Sequence, residues 1–383
     1  MKILTFADSH IGISTYSTMD AKTNLNTRVL DALNGLDQII NYALTNNIKQ
    51  ILFAGDMFKN SLPSPTLVRE VNKRIKYAAE NGIKWIIQDG NHDVSPLETA
   101  KSAMDPFNTL KVENVEHTRF EKAYMIDNNI RVLVLPTYIT QEEVEEILSR
   151  YNDKVKTIVM GHFTSLNAKL NDWLIASNEE AIDIKIFKKP NILAVVLGHL
   201  HKHQILNTKP LSYYCSSTIR TDFNEENDKK GFVVLDIDDN TYKVNYEFVP
   251  IKTQEFLTIK LDLTGERDSH QLLMNHLNSI KSKLKDKVVR IQLTLDKENN
   301  INDVEILQFL REVGVTYIAN INKTFDREQL IRNKDINEEI TEEDALQKYF
   351  KDYDDKDEII KLGLRIMNEV KEKGLIWLDK STW

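Results

Sequence analysis

Five apolar runs within residues 1–201 each end in side chains that bind ligands rather than pack. Lys2–Ala7 runs into Asp8-Ser9-His10, and Gln50–Ala54 into Gly55-Asp56. Ile83–Gln88 leads to Gly90-Asn91-His92-Asp93, Lys156–Met160 to Gly161-His162, and Ile192–Leu197 to Gly198-His199-Leu200-His201. Short apolar runs bounded by Gly, Asn and Asp read as buried strands. Amphipathic helices fall between them. Leu30, Leu33, Leu36, Ile40 and Leu44 set a helical stripe over Val29–Asn47. Ser64 as N-cap and Pro65 in the first position open a second helix, with Leu67, Val71, Ile75 and Ala78 on one face and Gly82 at its end. Pro96–Met104 reads as a short helix, Arg131–Leu135 as a strand, and Thr140–Tyr151 as a helix with a Thr140/Glu143 capping box. Leu211–Cys215, Gly231–Asp236 and Tyr242–Val249 read as antiparallel strands that close this part of the chain. Such alternation predicts a layered α/β core, in which ligands bind at the carboxyl ends of strands. The five ligand-rich ends can then converge.

The character of the chain changes near Gln254. Phe256–Leu263, Ser269–Leu284, Val288–Leu295, Asp303–Val313 and Val315–Ile321 read as a β-α-β-α-β unit without a ligand-rich turn. Beyond it the sequence is charged and helical, with helices expected over Glu338–Phe350 and Asp357–Lys373. The expected division is 1–250, 251–325 and 326–383.

Composition removes several classes of function. No run of about 18 apolar residues is present, so no membrane span is expected. The N-terminus enters a strand directly, without a signal-peptide pattern. Cys215 is the lone cysteine, which excludes an intrachain disulfide and fits a reducing cytoplasm. Net charge is −8, and Asp335–Glu358, with eleven acidic and three basic residues, carries all of it. The balanced remainder lacks the basic signature of an electrostatic nucleic-acid binder, so attraction for phosphate needs a local source such as bound divalent ions.

The pooled strand-end donors are carboxylates, imidazoles and one amide. Five of the nine histidines belong to them, whereas His117, His203, His270 and His276 have no such context. Without thiolates the set favours Mn²⁺ or Fe²⁺, allows Zn²⁺, and disfavours a structural zinc site. Seven or eight ligands are too many for one ion and suit two. Paired ions about 3.5–4 Å apart polarise phosphoryl oxygens and acidify water for in-line attack on phosphorus.

Together the five motifs, in this order, resemble the calcineurin-like metallophosphoesterases over roughly the first 220 residues. Within that superfamily the chain resembles the SbcD-type DNA repair nuclease subunits. Gly55-Asp56-Met57-Phe58 followed by Pro63-Ser64, the closing Gly-His-Leu-His, Ser216-Ser217-Thr218 and Lys230-Gly231-Phe232 carry that narrower likeness. The resemblance implies a two-sheet layered core, a small α/β capping domain and a C-terminal helical tail. It implies that Asp8, His10 and His201 bind one metal, that Asn91, His162 and His199 bind the other, and that Asp56 bridges them. His92 is then the general acid and Asp93 its orienting partner. The family is Mn²⁺-dependent, cuts DNA ends in repair, recombination and replication, and works as a homodimer with an SMC-like ABC ATPase of the SbcC type. The dimer contact would come from Pro65–Asn81 and Pro96–Met104, and the ATPase contact from a tail stripe of Ile359, Leu362, Ile366 and Val370. Two positions depart from the pattern. Lys59 stands where many relatives carry His or Asp, and Cys215-Ser216-Ser217 replaces a more usual Gly-Ser. Two other readings stay open. One is a dimetal phosphodiesterase or phosphatase for a small or protein substrate, because fold and metals do not fix substrate. The other is an inactive scaffold.

Overall fold

The computed structural model describes residues 1–94, 101–166, 168, 181–325, 346, 347, 349, 350 and 355–373, the last seven by backbone alone. Two six-stranded sheets face each other. The first has the order β12-β11-β1-β2-β3-β4. In it β1 (Lys2–Phe6), β2 (Gln50–Ala54), β3 (Lys84–Gln88) and β4 (Val115–Thr118) are parallel, while β11 (Gly231–Ile237) and β12 (Val244–Pro250) are antiparallel additions. The second has the order β5-β6-β7-β8-β10-β9. Here β6 (Ile130–Val134), β7 (Lys156–His162), β8 (Ile192–Gly198) and β10 (Leu211–Tyr214) run parallel, with β5 (Lys122–Met125) and β9 (Gln204–Thr208) antiparallel at the two edges.

Strand periodicity builds the layers. In β2, Ile51 and Phe53 face the helices α1 (Thr27–Thr45) and α2 (Pro65–Glu80), while Leu52 and Ala54 face the other sheet. The second sheet does the same, with Val132 and Val134 inward and Leu133 outward toward α4 (Gln141–Arg150). Strands covered on both faces must be apolar throughout, which is why they read as continuous runs. The result is the expected α/β layered core with two sheets between helices. The Ser64 cap, with Pro65 behind it, and the Thr140/Glu143 capping box form as the sequence predicts.

Three expectations shift, and a fourth lies mainly outside the described residues. Leu211–Tyr214 is parallel to β8, because the preceding β9 makes the reversal and returns the chain. Of the Pro96–Met104 helix, residues 96–100 lie outside the described set and 101–104 are not helical. The helix α3 is Asp105–Leu110, with Pro106 near its start. The Ser269–Leu284 helix breaks at Ile280 into α5 (Ser269–Ser279) and α6 (Lys281–Leu284). The Glu338–Phe350 helix falls mainly outside the described residues.

A separate parallel sheet, β13-β14-β15, has its own core. Its strands are Glu255–Asp262, Lys287–Leu295 and Tyr317–Phe325. Val289, Ile291, Leu293 and Leu295 line one face under α5, α6 and α7 (Asp303–Val313). The last described element is α8 (Lys356–Lys373). Among the described residues no helix is long and apolar enough to cross a membrane.

Candidate metal centre

The carboxyl ends of β1, β2 and β3 in one sheet and of β7 and β8 in the other meet at one edge of the sandwich. After β1 and β2 the two loops keep pairing. The Asp8 N–H donates to Gly55 O at 2.9 Å and the His10 N–H to Asp56 O at 3.0 Å. That ladder carries both carboxylates and His10 to the same depth. The backbone is bent hard to do so. Asp8, His10, Asp56 and His199 all have φ between 43° and 93°, a left-handed region rare for non-glycine residues. Strain of this kind persists where the surroundings impose it, and it clusters at functional sites.

The donors form three overlapping groups. Asp8, His10 and His201 offer ligand atoms within 4.8 Å of one another, and so do Asp8, Asp56 and His162, and His10, Asp56 and His92. His10 Nε2 lies 2.8 Å from His201 Nε2 and 3.7 Å from Asp56 Oδ2. On the other side His162 Nε2 lies 3.3 Å from Asp56 Oδ2 and 3.0 Å from Asn91 Oδ1. His199 Nδ1 is 3.2 Å from the same amide oxygen. All seven expected ligands are thus in one place.

Their other atoms are held by the chain. His162 Nδ1 faces Ala54 O at 2.8 Å, so its Nε2 is the atom turned to the centre. The His199 N–H donates to the Asp8 carboxylate at 3.0 and 3.1 Å, and the His92 N–H to Asp56 Oδ1 at 2.9 Å. Gly90 is required by space. A Cβ there would lie 2.1 Å from Asp56 Oδ1 and 2.5 Å from Asp56 N.

The expected pairing of Asp93 with His92 is corrected. The Asp93 carboxylate accepts four backbone N–H groups instead: Asp56 at 2.8 Å, Met57 at 3.1 Å, Phe58 at 2.9 Å and Gly90 at 2.9 Å. It is the pin that folds the Asp56 loop onto the Asn91 loop, with three of the donors on Oδ2 and one on Oδ1. His92 is oriented by Lys59, whose carbonyl lies 3.1 Å from His92 Nδ1. A carbonyl only accepts, so Nδ1 carries the proton and Nε2 is the nitrogen open to chemistry. Lys59, which departs from the family pattern, acts here through its backbone.

Sequence reasoning missed Glu225. Its Oε1 lies 2.6 Å from His201 Nδ1, and its Oε2 takes a 2.8 Å ion pair from the fully buried Lys230. The stretch Asp222–Asp228 holds four acidic residues, and nothing in the sequence separates this one from the rest.

Electrostatics follow from burial and mixed charge. Burial pushes the Asp8 carboxyl up, against the pull of His162 and His201. Burial also opposes ionisation of Asp56, but His162, with His10 and His92, outweighs it and holds that carboxyl below its usual range. The reciprocal effect lifts His162 to about 10 against its own burial. Burial, then His201, drives His10 well below the ordinary histidine value. Burial lowers His92, with Asp56 opposing.

These residues fit a pair of divalent ions. The donors are oxygen and imidazole nitrogen. Asp8, His10, Asp56 and His162 are almost wholly buried, and His10 Nδ1 has no partner. Such a concentration of carboxylates and imidazoles, out of water, is compensated by cations and by little else.

A sequence model of the calcineurin-like phosphoesterases matches residues 1–203. The SbcD subunit of the SbcCD nuclease of Staphylococcus epidermidis is 24% identical over 326 residues, covering 80% of this chain and 83% of that protein. The DNA double-strand break repair protein Mre11 of Sulfolobus acidocaldarius is 24% identical over 400 residues, covering 97% and 96%. The SbcD subunit of Escherichia coli is 24% identical over 259 residues, covering 59% and 62%.

Proposed function

The chain belongs to the calcineurin-like phosphoesterase family, and we propose that within it this is the nuclease subunit of a DNA double-strand-break processing complex. It is a metal-dependent phosphodiesterase, and the proposed substrate is DNA at its ends. The observation that carries the reading is the donor set bridged by Asp56, with His92 beside it but turned onto Lys59 O. Bound divalent ions, Mn²⁺ in this proposal, supply a polarised phosphoryl group and an acidified water. The chain's own groups do the rest. Asp8, His10 and His201 would hold one ion, Asn91, His162 and His199 the other, and Asp56 would contribute to both. In its doubly protonated form His92 keeps its Nδ1–H on Lys59 O and delivers the Nε2 proton to the leaving oxygen, and the Asp93 pin keeps the loops that carry these groups together.

The names of the relatives support DNA as substrate and an SbcC-type ATPase as partner. A homodimer is part of the proposal. The face between α2 and α3 holds a groove of about 430 Å³ lined by Arg69, Lys73, Lys76, Pro106, Phe107 and Leu110. Leu110 at its edge is largely exposed. A cytoplasmic location goes with the substrate.

The deciding assay incubates the purified chain with linear duplex DNA and with a generic phosphodiester, in Mn²⁺ and in Mg²⁺. Nucleotide release from DNA ends in Mn²⁺ is the expected result. Hydrolysis of the small ester with DNA left intact would move the assignment to a small-substrate phosphodiesterase. In His92→Asn, kcat should fall about 10²–10⁴-fold with two ions still bound. Loss of metal in that variant would overturn the acid role.

A further inference from the structure

One turn ties the His201 corner of the site to the small three-stranded unit. It lies in the Cys215–Lys230 connection between β10 and β11. On the site side Glu225 grips the His201 ring at 2.6 Å and is itself fixed by Thr221 Oγ1 at 2.6 Å and Lys230 Nζ at 2.8 Å. The His201 carbonyl is held as well. It accepts from Ser217 N at 3.0 Å, Ser216 Oγ at 3.2 Å and Lys230 Nζ at 3.2 Å. Ser216, at φ 101°, takes a left-handed backbone to make that clasp.

The other side of the turn is fastened to the small unit. Phe223 is buried against Phe256 of β13, with ring centroids 4.9 Å apart, and against Tyr16 at 5.4 Å. The Arg290 guanidinium of β14 covers the Phe223 ring at 4.3 Å. Glu226 accepts the Thr258 N–H at 2.9 Å and also bonds its hydroxyl. Arg220 donates to Thr253 Oγ1 at 2.8 Å, Gln254 O at 3.2 Å and Asp228 O at 2.8 Å. Phe223 and Glu225 sit two residues apart in a single 3-10 turn. A segment that short cannot release one end and keep the other in register.

We propose that Glu225 is a positioning residue for His201, and that the small unit, by seating Phe223 and Glu226, keeps it in place. Affinity for the ion at the Asp8–His10–His201 corner then depends on how that unit is docked. The inference rests on the two-ion reading of the site. A carboxylate on Nδ1 fixes the ring so that Nε2 faces the centre and makes it the better donor. Removal of such a partner lowers metal affinity by about 10–100-fold.

The test is a Mn²⁺ titration of the full chain by calorimetry, without nucleic acid, with ion content measured independently. Glu225→Gln should weaken one of the two ions by about 10–100-fold and leave the other within about threefold. Phe223→Ala should weaken the same ion, with unchanged circular dichroism, and Phe223→Leu should restore it. If Phe223→Ala does not fold, Thr258→Val, which removes the hydroxyl that bonds Glu226 and accepts from Arg290 Nε but keeps the backbone N–H to Glu226, should shift the same ion. Wild-type isotherms from Glu225→Gln overturn the positioning role. A folded Phe223→Ala or Thr258→Val chain with wild-type isotherms overturns the coupling. A wild-type chain that binds no ion overturns the two-ion reading and this proposal with it. A chain that binds two ions but cuts no DNA fails only as a nuclease, and the isotherms still decide.

Discussion

At the scale of single residues, Asp93 and Gly90 do more to shape the site than their place in the motif suggests. Four amide donors converge on one buried carboxylate, and an amide side chain would set an NH₂ group against some of them. Asp93→Asn should therefore lower stability by about 2–4 kcal/mol and loosen the Asp56 loop. A urea titration beside His92→Asn separates the cases, since the half-buried His92 ring ties the two loops by a single bond, to Lys59 O. Equal midpoints for the two variants would overturn this account. Gly90→Ala puts a methyl group onto the Asp56 backbone and carboxylate. It should abolish two-ion binding in elemental analysis, and retention of both ions would mean that the loops can spread. The seven donors were legible in the sequence because each ends a strand with polar atoms that packing does not use. The second layer was not. Glu225 is one acid among several in a polar loop, and Lys59 contributes a carbonyl that every residue type possesses.

Secondary-structure elements show the same division. Long buried runs and capped amphipathic helices announced themselves, since hydrophobic period and end signals agree there. β4, β5 and β9 are four or five residues long and carry Glu116, Lys122 and Asn207. Too few positions alternate for a pattern to appear, and only their neighbours make them strands. Contacts between elements are likewise invisible from one chain's pattern. Arg74 of α2 reaches Asp37 of α1 with two bonds, at 2.8 and 3.0 Å, and Glu70 at 3.0 Å. Both partners are partly solvated, so Arg74→Met should lower stability at pH 7 by only about 1 kcal/mol. The sign of its pH dependence is fixed. Glu70, bonded to Arg69 and then Arg74, titrates below its ordinary value of 4.5. Its contribution is complete above that value and fades as pH falls through the lowered one. The gap between wild type and variant in denaturant midpoint should be full at pH 7 and smaller at pH 3. A gap that widens in acid would show that the clamp acts through packing alone.

For the whole molecule, the question is how a chain with a near-neutral body meets a polyanion and a partner. Its acidic excess sits in the tail, away from the site in sequence, so the local charge for phosphate falls to the bound ions. The tail's own task is read from α8. Gly363 sits against the Leu346 side chain, which covers that part of the helix. Leu362 and Ile366 are 48% and 52% exposed, and Ile359 is partly buried. The Val370 side chain lies outside the described residues. Exposed apolar residues at helical spacing suit insertion into a groove of another protein, and the proposed occupant is the ATPase subunit. Glutamate at both positions of one face adds charge where burial is needed, without touching Leu346. Leu362→Glu with Ile366→Glu should therefore abolish co-purification with a co-expressed SbcC-type ATPase, while Mn²⁺-dependent activity of the chain alone stays within about twofold, since an exposed surface change away from the site perturbs little. Deletion after Lys334 should give the same pair of results. If the double variant still co-purifies and the deletion does not, the contact lies elsewhere in the tail. If both co-purify, the tail is not the docking element and the face beside α8 has another purpose.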